Sequence, residues 1–136
     1  MISKEELLSI PQMARDIEAE DERIMTMKSR LYSPKGLDTS EKVQSSGGNQ
    51  TALADVVIDL EQKLDQKKMA LERLQDEVVE MVYHEFDLED VERIIFLLRY
   101  TERCLGWRDI AAMIHYGEST VYRKHDEVLR RIYPEK

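Results

Sequence analysis

The chain has 136 residues, 35% of them charged, with 5 Gly, 3 Pro, one cysteine and a formal charge of −8. That length holds one domain, or a small globular domain with an extended helical element, and leaves little room for a large buried catalytic cleft. Cys104 cannot form an internal disulfide, and no apolar run approaches the ~18 residues of a membrane span.

Scarce Gly and Pro with abundant Leu, Glu, Lys, Arg and Met favour helices over sheets, so an all-α protein is expected. The charge is unevenly spread. From Arg99 onward eight Lys/Arg stand against six Asp/Glu, a net +2, so the residues before it carry −10. Such asymmetry suggests two modules with different partners. The opening MISKEELLSI lacks a basic region followed by a long apolar one, so no signal peptide is expected and a cytoplasmic location follows.

In chain order, Ser3 with Glu6 three residues on has the form of a capping box. Leu7, Ile10, Ala14, Ile17, Ile24 and Leu31 then recur at helical spacings, which predicts one amphipathic helix over residues 1–32. Pro11 lies past the first turn and either kinks this helix or marks its true start. Residues 33–52 read as a flexible linker, with Pro34, Gly36, a Ser/Thr-rich run and Gly47-Gly48.

Over 53–86 the steps between apolar residues alternate strictly between four and three: Leu53, Val57, Leu60, Leu64, then Lys67, Leu71, Leu74, Val78, Met81. A sustained 3.5-residue repeat keeps an apolar seam facing a partner helix and marks a coiled coil. Lys67 is the one polar interruption, either a snorkelling stem or a register device, with the former favoured. The two long helices can pair as a hairpin within one chain or as a dimer between chains.

Residues 87–136 change period. Asp87 can cap a helix with Val91, Ile94, Ile95 and Leu98 on its inner face, ending near Cys104 to Gly106. Two shorter patterns follow, Trp107 to His115 and about Glu118 to Ile132, with Pro134 closing the structure. Ile110, Ala111 and Ile114, a short connection containing Gly117, and then Val121, Val128, Leu129 and Ile132 give the pattern of a helix-turn-helix. Ala111 is small where two helices must approach closely, and Gly117 is expected to permit the tight connection.

With Val121 pointing inward, Ser119, Thr120, Tyr122, Arg123 and Lys124 face outward near the start of the second helix. From there side chains reach base edges and phosphates in the major groove. Arg123 suits bidentate bonding to guanine, Ser119 and Thr120 suit phosphate or base, and Lys124, Arg130 and Arg131 supply non-specific charge.

Arg99 to Ile132 resembles region four of bacterial sigma factors, on the residues IA…STV.R.H. The layout of most of the chain, with an acidic helical N-terminal part and a VQSS linker at Val43 to Ser46, resembles small phage and prophage transcriptional regulators of the ArpU and RinA type. His115 departs from the pattern, standing where many helix-turn-helix sequences have Gly. The resemblance implies DNA contact by Ser119, Thr120, Arg123 and Lys124 and no catalytic residue.

Trp107 is expected to anchor packing among three helices, and His125, four residues after Val121, to pack on the inner side of its helix. His84, His115 and His125 lack ligand spacing with each other or with Cys104, so neither a metal nor a cofactor is expected. No carboxylate is paired with a candidate base, and no phosphate loop or nucleophile motif is present, so no enzyme is expected. The expected function is a DNA-binding transcriptional regulator of phage or prophage genes. Its partners would be double-stranded DNA, RNA polymerase and a second copy through the coiled-coil helices, with no membrane. The alternative is a non-enzymatic phage assembly protein, such as a small DNA-packaging subunit or coiled-coil adaptor.

Overall fold

The computed structural model describes residues 1–32 and 47–135, and the side chains of 1–31 and 52–135. Among the described residues five α-helices follow in order: α1 (Lys4–Tyr32), α2 (Gly47–Glu80), α3 (Asp90–Tyr100), α4 (Trp107–Ile114) and α5 (Glu118–Ile132), with a π-helical segment at Met81–Glu85. No strand occurs among the described residues, so the fold is all-α, as composition predicts. No described helix is long and apolar enough to cross a membrane. Most of the expected linker, including Val43 to Ser46, lies outside the described residues. Its last part is corrected: α2 begins at Gly47, because adding a turn to an already nucleated helix costs little.

The chain divides into two compact units, residues 15–69 and residues 1–14 with 70–136. In the first, α1 and α2 pair antiparallel within one chain. Ile24, Val57 and Leu64 are buried between them, flanked by Ile17, Met27 and Leu60. Ion pairs join the two helices at both ends of this contact, Glu20 with Lys67 at 2.7 Å and Asp21 with Lys68 at 3.9 Å, and about two turns on Lys28 with Glu61 at 3.0 Å. Lys67 therefore snorkels, sending its ammonium out of the seam to a carboxylate on the facing helix. Such exposed pairs stabilise by at most about 1 kcal/mol each, so they set register more than stability.

The second unit begins with the predicted capping box. The Ser3 amide donates to Glu6 Oε1 and the Glu6 amide donates to Ser3 Oγ, both at 3.1 Å. Helix α1 then runs through Pro11 without interruption, with the Pro11 side chain buried beside Ile10. Ile2, Leu7 and Ile10 share one core with Val78 and Met81 and with Val128 and Ile132 of α5. Helix α1 matches the one expected over 1–32, but the core of the module expected over 87–136 draws in residues from both long helices. Helices of 11, 8 and 15 residues are too short to enclose their own apolar faces, so the first turns of α1 and the last turns of α2 complete the core. Tyr133 Oη donates to the Ile2 carbonyl at 2.8 Å and ties the two ends together.

The π-helical segment interrupts the regular ladder of α2, and Arg93 braces the passage that follows. Its Nε donates to the Val82 carbonyl and its Nη2 to the Leu88 carbonyl, both at 3.0 Å, while the guanidinium lies 5.4 Å from the centre of the Tyr83 ring. Helix α3 starts at Asp90 rather than near Asp87. Glu92, one turn in, accepts the Glu89 amide at 2.9 Å, closing the helix start later than the aspartates suggested. Of the expected inner face Val91, Ile95 and Leu98 pack inward, whereas Ile94 is 43% exposed, and Phe96 and Tyr100 are buried in addition. The reason is that α3 packs on two sides, with Phe96 and Tyr100 in the core shared with α1 and α2, and Ile95 in the core shared with α4 and α5.

Because the first turns of α1 close the C-terminal core, residues 87–136 alone should show no cooperative thermal transition by circular dichroism. In the full chain, Ile10→Ala should lower unfolding free energy by about 2–5 kcal/mol in urea. A cooperative transition of the isolated 87–136 segment would contradict this division of the core.

Candidate nucleic-acid interface

Helices α4 and α5 form the expected helix-turn-helix. Ile110, Ala111 and Val121 are buried together against Ile95, with Trp107 and Ile114 packed around them. The small side chain of Ala111 sits at this contact, as close helix approach requires. The connection is closed by His115, which adopts the left-handed conformation (φ 63, ψ 39), while the Tyr116 amide donates to the Ala111 carbonyl at 3.1 Å. This is a Schellman-type helix end, whose left-handed position favours glycine. The role expected of Gly117 is corrected. It has φ −70 as the residue capping α5, and a Cβ there would approach nothing closer than Thr120 Oγ1 at 3.8 Å. The residue using the unusual backbone is His115, two positions earlier.

Val121 is fully buried and fixes the orientation of α5. Ser119, Tyr122 and Arg123 are exposed and, at spacings of three and four, lie on one face. Thr120 and Lys124 are half-buried at its flank. Arg123 has no carboxylate partner among the described residues.

The two arginines further along α5 are engaged elsewhere. Arg130 pairs with Asp126 at 2.8 Å one turn back on the exposed side. Arg131 pairs with Glu92 of α3 at 2.5 Å, and Glu92 is only 7% exposed. Burial pushes the Glu92 carboxyl up, but the Arg131 hydrogen bond, the Glu89 amide and the charges of Arg131 and Lys124 together hold it below its ordinary value. A carboxylate so enclosed needs its cation, so Arg131 is a structural tie between α3 and α5 rather than the free charge expected.

Behind the exposed face lies an aromatic cluster. Trp107 meets the Tyr122 ring edge-on at 5.3 Å and the His125 ring edge-on at 4.6 Å, and the Arg99 guanidinium lies 4.5 Å from the Trp107 ring centre. Arg99 is itself held by donation from Nη1 to the Leu105 carbonyl at 3.1 Å. His125 stacks on Phe96 at 4.9 Å and shares a 2.6 Å hydrogen bond between its Nε2 and the Tyr100 hydroxyl. Burial, with the nearby Arg99 charge, drives the His125 pKa down to about 4 and keeps the ring neutral. Trp107 and His125 thus both pack inward, as their positions in the sequence predicted. The Tyr100–His125 bond and the Glu92–Arg131 pair were not foreseen, since their partners are 25 and 39 residues apart. The one available signal was a glutamate on the inner face of α3, which demands a cation.

A groove of about 730 Å³ runs along Val79, Tyr83, Leu97, Leu98 and Met113 and includes none of the α5 residues. Among the described residues no three His, Cys, Asp or Glu side chains group as metal ligands would.

Two outcomes are expected. His115→Gly should raise unfolding free energy by about 1 kcal/mol in chemical denaturation, because it relieves a left-handed non-glycine residue. Unchanged stability would mean that His115 makes a compensating contact. The second concerns pH. The folded His125 pKa of about 4 lies below the ordinary 6.5, so as pH falls the unfolded chain takes up the proton first. Stability should be complete above pH 6.5 and fall by about 3 kcal/mol down to pH 4. The Glu92 contribution is lost only below about 4.5, so urea titrations of His125→Gln should be nearly flat between 6.5 and 4.5.

Compared with protein-family models, with curated proteins and with solved structures, the chain has no significant match, and the chemistry of α5 has to speak for itself.

Proposed function

We propose that the chain is a sequence-reading DNA-binding regulator that lays α5 in the major groove, in the manner of the phage and prophage regulators that its layout resembles. The observation that carries this is the exposed face of Ser119, Tyr122 and Arg123, rigidly backed by the buried Val121 and by α4. Arg123 presents two parallel donors to guanine N7 and O6, Ser119 and Thr120 meet phosphate or base, and Lys124 adds charge from the flank. The acidic helical part stays off DNA by repulsion and is free for a basic protein surface such as RNA polymerase, or for a second copy of the chain.

Charge compensation makes the reading quantitative. With Arg130 and Arg131 paired to carboxylates, α5 offers the exposed Arg123 and the half-buried Lys124, and the exposed Arg108 at the start of α4 is a third cation. About three phosphate-neutralising groups give a slope of log K against log salt near −3, modest for a DNA-binding protein.

The alternative, a non-enzymatic assembly protein, draws on the apolar residues that α2 leaves exposed, Leu53 at 49%, Val56 at 47% and Ile58 at 52%. A ring of many subunits by light scattering would favour it over a monomer or dimer.

The test is duplex binding by fluorescence anisotropy at several salt concentrations, for wild type and for Arg123→Ala, Arg130→Ala and Arg131→Ala. Arg123→Ala should weaken preferred-site binding by roughly 5- to 150-fold, equivalent to about 1–3 kcal/mol, and relax sequence preference. Arg130→Ala should change little, and Arg131→Ala should act through lowered stability. If neither random nor selected duplex is bound at low salt, the regulator reading fails.

A further inference from the structure

The exposed face of α5 contains one large apolar surface, the Tyr122 ring, which is 55% exposed between the polar Ser119 and Arg123. An exposed tyrosine on a helix ordinarily samples several rotamers. Here the ring meets the edge of Trp107 at 5.3 Å with the planes at 79°. Trp107 in turn is held between the Arg99 guanidinium on α3 and the buried His125 of α5. The chain of contacts runs from the core to the surface, so Tyr122 is braced before any partner arrives. Bracing of this kind lowers the ordering cost of binding and turns a flexible contact into a selective one.

Resting on the DNA-binding reading above, we propose that Tyr122 reads a thymine, through contact of its ring with the C5 methyl group, and that Trp107 is its positioning residue. The base edges in the major groove offer donors and acceptors to Ser119 and Arg123, but the thymine methyl is the apolar feature among them. The carbon surface of a fixed ring on the reading face matches that methyl, the apolar group that a base pair presents in the major groove. Arg123, the next residue along the helix, then bonds a guanine close to that thymine, so the preferred site combines the two bases within one or two steps.

The experiment separates this inference from the reading it rests on. Duplexes bound by the wild-type chain are first selected from a randomised pool, and each thymine in the selected site is then replaced singly by deoxyuridine, which removes only the methyl. Burial of one methyl corresponds to about a fourfold loss of affinity. That loss is expected at one thymine near the guanine assigned to Arg123. Tyr122→Ala, a substitution at an exposed position, should bind the thymine and deoxyuridine duplexes equally. Trp107→Leu should lose much of the discrimination while retaining binding to random duplex, and Trp107→Phe should restore it. If the wild type is indifferent to deoxyuridine at every position, or if Tyr122→Ala keeps the fourfold difference, the thymine assignment is overturned while DNA binding stands. If Trp107→Leu keeps full discrimination, Trp107 is not the positioning residue. Absence of binding to any duplex at low salt overturns both.

Discussion

The hydrogen bond between Tyr100 and His125 joins α3 to α5 at the centre of the C-terminal core, and the arrangement of the surface face follows from it. The two rings are buried with Phe96, and His125 lies against Trp107. A net contribution of about 1 kcal/mol is typical of such a bond, yet leaving either polar atom buried without the other costs up to about 3 kcal/mol. The asymmetry makes the pairing specific: α5 can rotate about its axis only by abandoning a buried partner. Val121, one turn earlier on the same side, enforces the same rotation by packing alone. Ser119, Tyr122 and Arg123 face solvent because these inner residues cannot.

Charge on α5 obeys a similar division. The C-terminal part of the chain is net basic, but two of its arginines are engaged by carboxylates, one between helices to Glu92 of α3 and one along the helix to Asp126. Glu92 serves two purposes at once, receiving the amide that opens α3 and the guanidinium that holds α5. Basicity is therefore concentrated near the start of α5 rather than spread along it. A surface with few free cations gains less from the phosphate backbone and relies more on what its individual side chains recognise.

The helix-turn-helix was legible because it rests on local signals: Ile110, Ala111, Ile114 and Val121 at helical spacing, and a short connection between them. The choice between His115 and Gly117 was not. Glycine identity suggested Gly117, yet the conformation of a helix end is set by which carbonyl must be closed. The Ala111 carbonyl is reached by the Tyr116 amide only when His115 turns left-handed. Outward placement of Ser119, Tyr122 and Arg123 was likewise legible from the periodicity around Val121. The engagement of Arg131 was not, because a sequence lists charges without showing which are neighbours.

By itself the sequence determined the all-α class, the capping box at Ser3 and Glu6, the coiled-coil seam of α2 and the two helices of the motif. Each depends on residues within a few positions of one another, where helix geometry fixes the contacts. The tertiary structure decided everything that depends on closure between distant segments. The seam is paired within the chain from residue 15 to residue 69, and the first turns of α1 belong to the core of the last three helices. Burial is a property of the assembled surface: short helices left with uncovered apolar faces take whatever segment fits, and no local pattern names that segment in advance.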